Sequence, residues 1–339
     1  MDGLKQLQEL LNEPRKIVIT THQKPDGDAI GSSLGLMNYL NETGKGHQVT
    51  VISPTDYAHF LHWMPGNDTI LNFERKNKQC IEFVAQAEII FCLDFNRLER
   101  INDLGELVKK SSAFKVLIDH HLEPDQFADL NFLDQKASST AELIYDLVHL
   151  IDESPVLTKE AAVCLYVGIM TDTGSFRFPA TSSKVHHITG DLIEIGVDVA
   201  AAHSKIYDSF SEERMRFFGY CTSEKMQIIP ELGVAYIVVT AEEIKRFKVG
   251  TGDSEGLVNY PLSIQGIKLS ILIVDRSQLV KFSFRSKGDF AVNEFAEKYF
   301  EGGGHKNAAG GRSVLNLEDT VKRFLEAIEE NKELLKYEL

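Results

Sequence analysis

Residues 16–31 read Lys16-Ile17-Val18-Ile19-Thr20-Thr21-His22-Gln23-Lys24-Pro25-Asp26-Gly27-Asp28-Ala29-Ile30-Gly31, and this stretch decides the fold. The run KIVIT is short, apolar and β-branched, which predicts a buried strand. A polar loop follows, and then helical spacing predicts a helix over 29–41. A strand passing through a short loop into a helix opens a βαβ unit. Ligands of open α/β sheets bind beyond the carboxyl ends of the strands, so the loop lies at the functional end. It holds one imidazole and two carboxylates, His22, Asp26 and Asp28. Gly27 and Gly31 let the backbone turn tightly and approach a ligand. Taken alone, the segment reads equally well as a surface Asp-Gly turn with Asp28 capping the helix. It is not an EF-hand loop, because Ile30 and Met37 stand where that motif needs oxygen ligands.

Outward from this stretch the pattern repeats. Strands are predicted over 48–52, 88–94 (EIIFCLD) and 114–119 (FKVLID), and helices over 138–150 and 159–171. Alternation of β and α predicts an α/β fold with a mainly parallel sheet covered by helices. From 182 to 225 the pattern is helical and more polar, as in a connector. Strand-like runs return at 234–239, 267–274 and 280–284, with helical patterns at 291–299 and 317–335. These predict a second, smaller α/β domain with a largely antiparallel sheet. The expected organisation is a first α/β domain over 1–190, a helical connector over 191–225 and a second domain over 226–339.

Composition narrows the function. The chain has 339 residues, 43% hydrophobic and 25% charged, as in water-soluble globular proteins. No apolar run approaches the roughly 20 residues of a membrane span. Residues 1–12 are amphipathic without an apolar core, unlike a signal peptide, so a cytoplasmic protein with no membrane partner is expected. Cys80, Cys92, Cys164 and Cys221 lack metal-ligand spacing and read as buried free thiols. A net charge of −14 argues against coating long nucleic acid, which rests on many Lys/Arg–phosphate contacts. A small anionic substrate is compatible with it where bound divalent cations supply a local positive field.

Three further sites carry acid and imidazole groups. Asp94 ends the apolar run IIFCLD, and Asp119-His120-His121 ends VLID. Both belong on the rim that carries His22. A carboxylate such as Asp119 orients a metal-bound imidazole by accepting its second N–H. Adjacent residues of an extended segment point to opposite sides, so one histidine of the pair faces metal and the other substrate. Asp172 closes the run Gly168-Ile169-Met170-Thr171-Asp172-Thr173-Gly174. Oxygen-rich ligands with one or two imidazoles favour Mn²⁺ or Mg²⁺, with Co²⁺ or Zn²⁺ also accepted. Two such ions about 3.5–4 Å apart clamp both oxygens of a phosphoryl displacement, and a carboxylate such as Asp94 sets that spacing. A last cluster, Gly302-Gly303-Gly304-His305-Lys306-Asn307-Ala308-Ala309-Gly310-Gly311-Arg312, is expected to present N–H groups to an anion ahead of a helix-like turn. His305, Asn307 and Arg312 would read a phosphate or base beside it. Arg285 and Ser286 stand at a strand end, Arg285 being suited to a bidentate phosphate contact.

In these residues the chain resembles the DHH–DHHA1 phosphoesterases. The four N-terminal sites match that family's motifs in order, through Thr173-Gly174-Ser175-Phe176-Arg177-Phe178, and GGGHKNAAGG is similar to the DHHA1 signature. In length the chain is most similar to the oligoribonuclease (nanoRNase) and 3′-phosphoadenosine 5′-phosphate phosphatase subgroup. The resemblance implies that His22, Asp26 and Asp94 bind one metal ion. Asp28, His120 and Asp172, with bridging Asp94, bind the other. It places His121 near the substrate phosphate and Asp119 behind the site. Arg285, Ser286, Gly303, Gly304, His305, Asn307 and Arg312 are assigned to substrate. It implies two divalent cations, most naturally Mn²⁺, a short oligoribonucleotide or nucleotide 3′,5′-bisphosphate as substrate, and a homodimer. Other readings of the same metal cluster are a pyrophosphate or polyphosphate phosphatase, a cyclic-dinucleotide phosphodiesterase and a nucleotide-binding regulator without turnover.

Overall fold

A computed structural model describes residues 2–152 and 154–336. The chain divides into two compact units, Met1–Ser209 and Phe210–Leu339. The first contains α1 (Asp2–Leu10), β1 (Lys16–Thr21), α2 (Gly27–Glu42), β2 (Gln48–Ser53), β3 (Leu71–Asn72), α3 (Asn77–Gln86), β4 (Ile89–Leu93) and α4 (Leu104–Lys110). It continues with β5 (Phe114–Asp119), β6 (Leu130–Leu133), α5 (Thr140–Ile151), α6 (Lys159–Asp172), α7 (Ser183–Ile195) and α8 (Val199–Tyr207). The expected connector is therefore divided: α7 and α8 belong to the first unit.

The first unit's sheet has the order β3-β2-β1-β4-β5-β6 and every adjacent pair is parallel. The central strands β1, β4 and β5 are apolar at successive positions because both faces are covered. Ile17, Ile19, Phe91, Val116 and Ile118 pack with Ile30 and Leu34 of α2 and Ile144 and Leu165 of α5 and α6. The alternate residues Val18, Ile52, Ile90, Cys92 and Leu117 pack with Cys80, Val84, Leu104 and Val108 of α3 and α4. Strand order reverses direction between β1 and β4, and the crevice beyond the carboxyl ends at such a reversal is where ligands bind.

Helix α2 lies unusually close to α6. Gly27, Gly31 and Gly35 recur every fourth residue and so share one helix face. A Cβ at Gly31 would fall 2.5 Å from the Cys164 carbonyl oxygen and 2.8 Å from the Gly168 nitrogen. At Gly27 it would meet Thr171 Oγ1 at 2.3 Å. The missing side chains bring the start of α2 to the end of α6.

The second unit contains α9 (Glu212–Tyr220), β7 (Met226–Ile229), β8 (Val234–Val239), α10 (Ala241–Arg246), β9 (Leu269–Asp275) and β10 (Val280–Ser286). It ends with α11 (Val292–Phe300), β11 (Gly303–His305), β12 (Ala308–Ser313), α12 (Leu317–Glu330) and α13 (Lys332–Leu335). Its sheet, β11-β12-β10-β9-β8-β7, is antiparallel except for the β8–β9 pair. The inward residues Val234, Ile271, Phe282 and Phe284 form a core with Phe295, Phe300 and Phe324 of α11 and α12. The glycine-rich stretch does not lead into a helical turn: it is the hairpin β11–β12. Gly304 has φ 142°, and a Cβ there would lie 2.6 Å from the Ala308 carbonyl, so close strand approach is what the glycine permits.

The four cysteines are buried free thiols. Among the described residues no helix is long and apolar enough to cross a membrane.

Candidate active site

The site forms where β1 and β4 end side by side. Thr21 pairs with Leu93, so the next residues, His22 and Asp94, emerge together. His22 Nδ1 lies 2.9 Å from the Gln23 carbonyl oxygen, which sets the tautomer and turns Nε2 inward. Nε2 is 3.4 Å from Asp94 Oδ2 and 3.9 Å from Asp26 Oδ1. Asp94 extends the ladder through its N–H, bonded to Ile118 O at 3.0 Å. It then turns in the left-handed region with φ 64°, a conformation Asp tolerates better than most residues. That turn lifts its carboxylate over the sheet's end.

Asp26 is the N-cap of α2, its Oδ1 accepting from the N–H groups of Asp28 and Ala29 at 3.1 Å. Asp28 therefore sits in the first helical turn and is not the cap. Its buried carboxylate accepts from the N–H groups of Thr140 (2.6 Å) and Ala141 (2.8 Å) at the start of α5. These are among the N–H groups that a helix start leaves without partners.

His120 follows β5. Its Nδ1 is 3.2 Å from the Ala137 carbonyl oxygen. Its Nε2 is 3.4 Å from Asp172 Oδ2, 3.6 Å from Asp94 Oδ1 and 3.9 Å from Asp28 Oδ2. Asp119 orients the other member of the pair: its Oδ1 is 2.7 Å from His121 Nδ1. The two rings meet edge to face, with centroids 5.1 Å apart.

All six residues expected as ligands are thus brought together. Within the first unit three donor groups stand out, His22/Asp26/Asp94, Asp28/Asp94/His120 and Asp94/Asp119/His121, each with its ligand atoms within 4.8 Å of one another. Asp94 belongs to all three.

Protonation reflects an excess of acid. Burial opposes charge on His22, but hydrogen bonds to Asp26 and Asp94 outweigh it and raise its pKa to about 10. His120 is likewise raised against its burial, by Asp94 and Asp172. Asp94, also opposed by burial, is held well below the carboxylate range by His120 and His22. Asp28 is pushed well above it, by burial first and then by the charges of Asp94 and Asp172. Protons here occupy places that cations suit better.

In the second unit, Asn307 Nδ2 donates to Ser286 Oγ at 2.8 Å and to the Gly288 carbonyl at 3.0 Å. Ser286 Oγ donates to the Phe290 carbonyl at 2.7 Å. Arg285 pairs with Ala308 of the hairpin, and His305 with the same Ala308 from the other side. Arg312 is not brought to this cluster. It pairs with Lys281, four residues along β10 from Arg285, roughly 13 Å at strand rise, and its Nε meets Glu301 at 3.1 Å.

Thr140, which holds Asp94 and Asp28, was not singled out from the sequence. The signal was present: Ser139-x-x-Glu142 before an apolar run has the form of a capping box.

Residues 16–169 match the DHH family, N-terminal domain, and residues 233–333 match the DHHA1 domain. The bifunctional oligoribonuclease and PAP phosphatase NrnA of Thermus thermophilus is 30% identical over 315 residues, 93% of this chain and 89% of that protein. The probable enzyme of the same name from Streptococcus mutans is 29% identical over 298 residues, 88% of this chain and 89% of that one. An exopolyphosphatase-related protein from Bacteroides fragilis, of known structure, shares 38% identity. It superposes with a TM-score of 0.93 over 98% of this chain and 97% of that one. With the clustered carboxylates and imidazoles of the first unit and both domains in order, the chain belongs to the DHH family of phosphoesterases.

Proposed function

We propose that this hydrolase binds two divalent cations, most naturally Mn²⁺, and cleaves phosphate esters of short oligoribonucleotides and of 3′-phosphoadenosine 5′-phosphate. The observation that carries the reading is the sharing of Asp94 between the His22/Asp26 and Asp28/His120 donor groups. The donor set fits the cations: carboxylates with two imidazoles, each imidazole turned inward by a backbone carbonyl on its other nitrogen. His22, Asp26 and Asp94 would hold one ion, and Asp28, His120, Asp172 and Asp94 the other. When bound, the ions activate a water and neutralise charge developing on phosphate. His121, held through Nδ1 by Asp119, would stand beside the substrate phosphate. Arg285 and His305 grip the remainder of a short substrate, with Gly303 and Gly304 allowing its close approach to the hairpin. The names of the relatives support this substrate class.

The test is release of mononucleotide from a 5′-phosphorylated RNA dinucleotide in Mn²⁺, with 3′-phosphoadenosine 5′-phosphate in parallel. Turnover of either that disappears in Asp94→Asn supports the reading. Turnover of neither overturns it.

A further inference from the structure

We infer that Thr140 is a positioning residue for the shared carboxylate of Asp94, carried on a strap, residues 137–142, that supports the site from behind. The inference rests on the two-cation reading and assigns a role to residues outside the ligand set.

The strap touches three ligands within five residues. The Ala137 carbonyl takes His120 Nδ1, the Thr140 and Ala141 N–H groups take Asp28, and Thr140 Oγ1 donates to Asp94 Oδ1 at 3.0 Å. Thr140 is fully buried. The strap is itself held firmly. Ser139 Oγ accepts from the Glu142 N–H at 3.1 Å, and Glu142 Oε2 accepts from the Ser138 N–H at 2.7 Å. Glu142 Oε1 lies 2.9 Å from Lys184 Nζ of α7.

Asp94 needs this partner for a geometric reason. The terminal torsion of an Asp carboxylate is broad and two-fold, so its rotamer does not fix the direction of each oxygen. Its two oxygens have different tasks here, Oδ2 facing His22 and Oδ1 facing His120. The Thr140 hydroxyl occupies one lone pair of Oδ1 and fixes that division. It leaves the oxygen's remaining acceptor capacity for a cation. Outer partners of this kind typically account for about ten- to hundredfold in metal affinity.

The experiment is Mn²⁺ titration of the metal-free full chain, followed by the electron paramagnetic resonance signal of free and bound ion. Thr140→Val removes the hydroxyl at nearly constant shape, and Thr140→Ser retains it. The expected result is affinity weakened about tenfold or more in the valine variant and restored to within about threefold of wild type in the serine variant. Circular dichroism of the metal-free proteins should be unchanged. If the valine variant does not fold, Thr140→Ala against Thr140→Ser isolates the same hydroxyl. Wild-type affinity and an unaltered bound-ion spectrum in the variant lacking the hydroxyl would overturn the inference alone. Absence of Mn²⁺ binding by the wild type would overturn the two-cation reading and the inference with it.

Discussion

His22 and Asp94 stand one step beyond a paired position of two parallel strands, and their Nε2 and Oδ2 atoms meet at 3.4 Å. Strand register, rather than any long-range side-chain search, creates that contact. Replacing Asp94 by Asn tests its charge with little change of shape. Asn also tolerates the left-handed backbone that Asp94 adopts, so the variant avoids the strain that Ala would add. It should lose at least about a hundredfold in kcat, beyond the effect of losing an outer partner. Mn²⁺ should no longer raise its melting midpoint. Steady-state hydrolysis and thermal melts check both.

Gly31→Ala tests the close approach of α2 and α6. Intrinsic propensity favours Ala in a helix by about 1 kcal/mol. The added Cβ, however, falls 2.5 Å from a backbone carbonyl, which cannot rotate away as a side chain can. Overpacking of this kind costs about 1–3 kcal/mol, so destabilisation wins. Forcing the helices apart also separates Asp28 from Asp172, so metal affinity should fall along with stability. Denaturant melts and Mn²⁺ titration measure the two effects; a more stable variant with unchanged affinity would contradict the packing argument.

Metal binding should be steeply dependent on pH. His22 titrates near 10 in the metal-free fold, above the ordinary imidazole value of about 6.5. The sign follows. Its ion pair stabilises the metal-free protein fully below about 6.5 and loses that contribution as pH rises through about 10. The imidazole must give up its proton to bind metal, so Mn²⁺ affinity should rise by up to about tenfold per pH unit for each proton displaced. The increase in melting midpoint on adding Mn²⁺ should therefore be larger at pH 8.5 than at pH 6.5. Calorimetry in buffers of different ionisation enthalpy should show proton release. An affinity flat across this range would contradict the assignment of His22 as a ligand.

Most of the fold was legible because two-sided burial writes itself into strand sequence. KIVIT, EIIFCLD and FKVLID each hold an unbroken apolar run, 17–19, 89–93 and 116–118, that gives way to polar residues at its carboxyl end. The short edge strands β3 and β6 and the helices α3 and α4 were not legible. They are short or only partly buried: β3 has two residues, β6 has four and none of them fully buried, and α3 buries only Cys80 and Val84. In the site, residues at strand ends could be placed, since strand order does the rest. Thr140 could not, because its role arises from α5 docking against ligands 46 and 112 positions earlier in the chain. The glycine-rich stretch misled in the same way. Glycines allow a helix start and a tight hairpin alike, and the pairing of Gly303 with Gly310 decides for the hairpin.

Ser286 and Arg285 are adjacent and both are expected to touch substrate, yet they lie on opposite faces of β10. The Ser286 side chain is buried, donates its proton to the Phe290 carbonyl and accepts from Asn307. Removing it leaves a carbonyl and an amide without their partner, at a cost of about 1–3 kcal/mol. Arg285 lies on the opposite side of β10, away from the Phe282–Phe284 core. Its guanidinium donates to the Phe284 carbonyl at 2.9 Å, and a planar guanidinium fork matches an anion's oxygens in shape and charge. Ser286→Ala should therefore lower the melting midpoint of the substrate-free protein and depress activity through the fraction folded. Arg285→Gln should raise KM on the order of tenfold, as loss of a charge-assisted contact worth about 1.5–3 kcal/mol predicts. Kinetics below the melting transition separate the two, because there an effect of Ser286 acting through stability disappears and an effect of Arg285 on KM persists.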